Sequence, residues 1–147
     1  MDKLALSKDV LLPEVAKLLQ EGEVVKLKVE GRSMLPFIKE GTDCIVLKKG
    51  SGEPRVGDIV FARVDDGRYL FHRVIGLDGD TVELMGDGNW RGTERCGLND
   101  IFGYVTSIRR GDRIIDCVSA VERMKAALWR RLRPVRRQLL WIYRRFE

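Results

Sequence analysis

The chain has 147 residues, 44% hydrophobic and 33% charged; this suits one domain with a real core and excludes a disordered chain. No stretch nears the ~20 apolar residues that span a bilayer, and Asp2 and Asp9 break the first apolar run, which excludes a secretory signal. The net charge of +5 is uneven: residues 118–147 hold eight Arg and one Lys against two Glu, or +7, leaving −2 on the first 117.

In chain order, Val10, Leu11, Val15, Leu18 and Leu19 recur at three- and four-residue steps, which predicts a helix from about Asp9 to Gln20. Ser7 or Asp9 is placed to cap its start, and Gly22 its end. Such a helix serves either as a packing element over a sheet or as a lid on a site.

From Glu23 the period becomes two. Strands are expected at Val24–Val29, Asp43–Leu47, Asp58–Val64, Tyr69–Ile75, Thr81–Met85 and Ile101–Ile108. Glycine-rich turns separate them, and Asp66-Gly67 is a hairpin signal. Short strands at this spacing predict a mainly β fold with flanking helices, built on a coiled, partly closed antiparallel sheet. Ser119 to Phe146 is helical in pattern, with a break expected near Arg133 because proline follows it at 134. The predicted organisation is a β domain with its N-terminal helix over residues 1–117 and a basic amphipathic tail over 118–147.

Cys44, Cys96 and Cys117 are odd in number, far apart and without CxxC spacing. Reduced thiols in a cytoplasmic protein are expected, rather than a disulfide framework or a metal site.

The candidate chemistry lies in two short segments. Gly31-Arg32-Ser33-Met34-Leu35-Pro36 presents a serine on a restricted turn, and Phe71-His72-Arg73-Val74 holds the single histidine on a strand. A serine hydroxyl needs a neighbouring base to become a nucleophile, and neutral imidazole is the usual base near pH 7. Alone, each residue has a plain structural reading: a turn serine, a strand histidine and, at Asp87, a turn former between two glycines. Asp58 and Asp80 are read as turn residues only.

The ordered set Ser33-Met34-Leu35-Pro36, Gly57-Asp58-Ile59-Val60, His72 to Asp80 and Gly86-Asp87-Gly88-Asn89 resembles the serine peptidase clan of signal peptidase I and the LexA-type repressors. The resemblance covers roughly residues 25–108 and implies the fold of those proteins. It also implies that Ser33 is the nucleophile and that its backbone N–H helps form the oxyanion hole. His72 stands where most bacterial members have a lysine, as in the histidine-type archaeal and endoplasmic-reticulum enzymes. Asp87 matches the aspartate expected to orient that histidine.

Three departures stand beside the match. Position 31 is glycine, as in LexA-type sequences, where signal peptidases often have serine. A second acidic residue after the Gly-Asp turn has Glu94 as its nearest candidate. No membrane anchor precedes Ser33. Ordinary export-signal processing is therefore not the expectation; a peptide or precursor protein with a leader or signal-like segment is.

The expected activity is thus a serine endopeptidase using Ser33, His72 and Asp87, with no metal or organic cofactor and an acid limb near pH ~6–7. One alternative is a self-cleaving LexA-like regulator, although the chain has no Ala-Gly dipeptide and only about 30 residues before Ser33. The other is a non-catalytic member of the fold that binds a peptide.

On a helical wheel, Trp129, Leu132, Val135, Leu139, Leu140, Ile142, Tyr143 and Phe146 share an arc of roughly 160° opposite most of the arginines, and Trp141 and Arg136 break the pattern. This composition suits peripheral contact with an anionic membrane at its inner face, or packing on the core. Nucleic acid fits less well, because it would not use so wide an apolar face.

Overall fold

A computed structural model describes residues 8–50 and 52–146. Ser7, one of the two expected caps, lies outside them. Helix α1 (Lys8–Gln20) precedes strands β1 (Val25–Lys28), β2 (Asp43–Lys48), β3 (Ile59–Arg63), β4 (Tyr69–Asp78) and β5 (Thr81–Met85). These are followed by β6 (Glu94–Gly97), β7 (Ile101–Arg110) and β8 (Arg113–Asp116), then helices α2 (Ala120–Arg131) and α3 (Arg136–Phe146). All strand pairs are antiparallel, in the order β1-β2-β7-β3-β4-β5-β6, and β8 adds to β7. The result is a curled half-barrel sheet with flanking helices, the expected fold.

The curl gives the sheet two cores, and β3 shows how. Ile59 and Phe61 enter a cluster with Val15 and Leu19 of α1, Val25, Leu47 and Val105. Val60 and Ala62 enter a second with Val74, Val82, Leu84 and Cys96. Successive side chains of a strand point to opposite faces, so a strand buried on both faces has a continuous apolar run in place of alternation. Phe61 stacks on Phe71 at 4.7 Å between centroids.

Two strands are absent from the expectation. β6 has Cys96 as its only buried residue, and β8 has none. Too few apolar positions were present to mark a period. In the tail, the Ser119 hydroxyl accepts the Glu122 N–H and caps α2, and a 3₁₀ turn at Arg133–Val135 separates α2 from α3 where proline forced the break.

Candidate active site

Ser33 lies in the loop between β1 and β2. Gly31 opens that loop at φ +90°, a backbone shape that favours glycine, and its N–H donates to Glu40 Oε2 at 2.8 Å. Ser33 is exposed, whereas Met34 and Leu35 immediately after it are buried. The loop is thus pinned by two apolar side chains with the hydroxyl residue left at the surface. Its far end is held by Asp43, fully buried, which accepts from the Lys39 N–H at 2.8 Å and from Arg110 through both carboxylate oxygens. Arg110 also donates to the Phe37 carbonyl at 3.0 Å. Burial alone would raise the Asp43 carboxyl, but Arg110 and the Lys39 N–H outweigh it and hold it below its usual range.

His72 lies on β4 with its side chain buried, and its Nδ1 is 2.7 Å from Glu94 Oε1. A carboxylate only accepts, so a neutral imidazole places its proton on Nδ1 and leaves a lone pair on Nε2. Burial lowers the His72 pKa below its ordinary value, and the Glu94 charge and hydrogen bond oppose this without cancelling it. The histidine is therefore neutral near pH 7, the state a general base needs.

The turn after β5 joins the two. The Gly88 N–H donates to the Ser33 carbonyl at 2.7 Å, and the Asp87 N–H reaches Met34 Sδ at 3.4 Å. A Cβ on Gly86 would collide with the Ser33 carbonyl oxygen and sit 3.0 Å from His72 Nε2. The Ser33 carbonyl and His72 Nε2 thus both approach the same position at Gly86. A Cβ on Gly88 would collide with the Arg32 carbonyl, so both glycines are required by close approach of backbone.

Asp87 differs from its expected place. Its carboxylate accepts from Arg73 Nε and Nη2 at 2.7–3.1 Å, a buried bidentate pair. Arg73 also donates to the Gly57 carbonyl and lies over the Phe37 ring. The carboxylate on the imidazole is that of Glu94, and Asp87 acts on His72 only through its nearby charge. The reason is alternation along β4: His72 and Arg73 point to opposite faces, and the guanidinium fork outcompetes the ring for the turn carboxylate.

The same turn is held from behind by the tail. Trp129 Nε1 donates to the Asp87 carbonyl at 2.8 Å, and Arg136 to the Asn89 carbonyl at 3.2 Å. Trp129 meets Phe37 edge-on at 6.5 Å, and Arg123 pairs with Asp58 at 2.6 Å. None of these partners follows from spacing in the sequence; the signal that could have found Trp129 and Arg136 was their place opposite the outward arginines of the tail.

A cleft of about 680 Å³ opens beside Ser33, walled by Leu11 and Leu12 of α1, Leu27 and Val29, and Tyr69 and Phe71. It is open and mainly apolar, with Lys28, Glu30 and Glu40 at its polar margin. An accessible hydroxyl, a neutral imidazole held by a carboxylate and an apolar groove are the parts of a peptide-hydrolysing site. The family model described as Peptidase S24-like matches residues 2–96. The chain belongs to that family. At family level it is a serine peptidase of the LexA-like fold, a group that includes self-cleaving regulators. A search among curated proteins returned no match. The Peptidase S24-like match takes in Ser33, His72, Asp87 and Glu94 and ends within β6, whereas α2 and α3 lie beyond it. Among the described residues no helix is long and apolar enough to cross a membrane.

Proposed function

We propose that this Peptidase S24-like chain is a histidine-type serine endopeptidase acting on a peptide or precursor protein with a leader or signal-like segment. The observation that carries the reading is the 2.7 Å hydrogen bond from His72 Nδ1 to Glu94 Oε1, which leaves the Nε2 lone pair toward Gly86, where the Ser33 carbonyl also approaches. In this reading His72 Nε2 takes the Ser33 Oγ proton as Oγ bonds to the scissile carbonyl carbon. The Ser33 backbone N–H donates to the oxyanion. Collapse breaks the C–N bond, and His72 passes its proton to the leaving amine. Water, deprotonated by the same nitrogen, then hydrolyses the acyl ester. Glu94 takes the orienting role first assigned to Asp87, and Asp87 holds the turn through Arg73.

A fluorophosphonate probe tests this on the full chain. Wild-type protein is expected to be labelled at Ser33, with labelling lost in Ser33→Ala and His72→Ala. A folded wild type that is not labelled, and that cleaves nothing in a peptide library, overturns it in favour of a peptide-binding role. A shorter self-derived fragment on incubation would identify a self-cleaving regulator instead.

A further inference from the structure

We infer that the outward face of α2 and α3 docks on an anionic membrane surface. Thirteen large apolar residues among the described ones are exposed, and nine of them lie after residue 113. This excess does not come from helices lacking a core to pack on. Ala126, Arg136 and Leu140 are buried, and Trp129 is bonded to the turn of the candidate site. The helices are already seated by one face, and a second apolar face remains.

That second face is regular. Val121, Met124 and Leu128 are spaced i, i+3, i+7 on α2, and at ~100° per residue they lie roughly 140° from the side that carries Ala126 and Trp129. On α3, Ile142 and Phe146 are spaced i, i+4, well over 90° from Leu140, and Trp141 is exposed ~100° from Ile142 with Arg145 between them. Met124 is 71% exposed, Trp141 62% and Phe146 82%. Exposed cations flank these positions: Lys125 and Arg131 on α2, Arg137 and Arg145 on α3. Arg145 lies over the Trp141 ring at 5.2 Å, and Arg137 over Trp90 at 5.0 Å.

Charge selects the occupant. A segment of net charge +7 set against its own copy would oppose arginine with arginine, which disfavours a dimer through this face. Nucleic acid would satisfy the arginines but leave the tryptophan and phenylalanine in water. An anionic lipid surface satisfies both, taking the apolar side chains to the acyl boundary and the cations to the headgroups. Tryptophan beside arginine is the composition favoured at that depth.

The test is co-sedimentation of the full chain with vesicles of phosphatidylcholine alone and with 40% phosphatidylglycerol. Binding to the anionic vesicles is expected at least tenfold tighter, with a marked loss in 0.5 M salt. Leu128→Glu with Phe146→Glu is expected to cut it at least tenfold, since both positions are exposed and the variant should keep its melting temperature. Arg137→Gln with Arg145→Gln should lose the preference for anionic lipid. No binding, equal binding to both vesicles, unchanged binding by the glutamate variant, or a dimer through this face in light scattering each overturns the inference. None of these results depends on whether Ser33 is reactive.

Discussion

At the scale of single residues, the structure separates two carboxylates that the sequence placed together. Glu94 touches the imidazole and Asp87 touches a buried guanidinium, so their removal should have different signatures. Glu94→Gln keeps a hydrogen-bonding shape but can offer Nδ1 a donor, which favours the wrong tautomer. Peptidase activity should fall by about 10²–10⁴-fold while folding changes little. The pH profile supplies a second reading. With His72 as the proposed base, activity requires its neutral form, and burial chiefly holds its folded pKa below the ordinary value. The rate should therefore be full at neutral pH and lost as pH falls through that lowered value. Glu94 raises the His72 pKa, so Glu94→Gln should move the acid limb lower still. A limb at alkaline pH would show that His72 is not the base. Asp87→Asn instead strands Arg73 as a buried, half-paired charge. It should cost about 3–5 kcal/mol, a fall in melting temperature of roughly 10 °C, measurable by thermal denaturation.

At the scale of elements, what could be read in advance followed apolar count. β2, β3, β4, β5 and β7 each bury two or more residues and were legible within a few positions. β6, Glu94-Arg95-Cys96-Gly97, was not, and the partner of His72 went with it. Glu94 was named as a nearby acidic residue, but nothing local says that its strand lies beside β5 and brings it to the ring. That placement is set by the β5–β6 register, Leu84 opposite Glu94. Ser33 and His72 could be named in advance because they sit in short motifs with defined turn chemistry, and the structure brings both to the turn at Gly86. Asp87 was legible as a residue and misassigned in its contact, because a neighbour on the same strand decides which group its carboxylate meets. The two turn glycines carry a further consequence. A methyl group on Gly88 would collide with the Arg32 carbonyl next to Ser33. Gly88→Ala should shift the serine loop at a cost of about 1–3 kcal/mol and slow probe labelling of Ser33 more than it lowers the melting temperature. Labelling at the wild-type rate would mean that the turn does not position the serine.

At the scale of the whole molecule, the tail is bound to the site from which composition had divided it. Predicted as a basic amphipathic tail, α2 and α3 donate three hydrogen bonds to the turn that carries Asp87, from Trp129, Arg136 and Arg144, and Leu140 is buried. The family match stops before them, so this support is an addition to the part of the chain that the family model describes. A chain cut after residue 117 loses the burial of Leu140 and Trp129, worth at least about 3 kcal/mol, and the Arg123–Asp58 pair. It should melt well below the full chain. Its single histidine gives one imidazole Cε1 proton signal, a probe that needs no substrate. Because Gly86 abuts His72 Nε2 and the Asp87 charge raises the His72 pKa, loosening the turn should move that signal and lower its titration midpoint. Trp129→Phe removes the indole N–H that bonds the Asp87 carbonyl while keeping a smaller aromatic ring, and should produce a smaller change in the same direction. If the truncated chain keeps the melting temperature and the histidine signal of the full one, the tail is an independent module. If both move together, any surface that engages the outer face of α2 and α3 also acts on the helices that hold the Ser33–His72 turn.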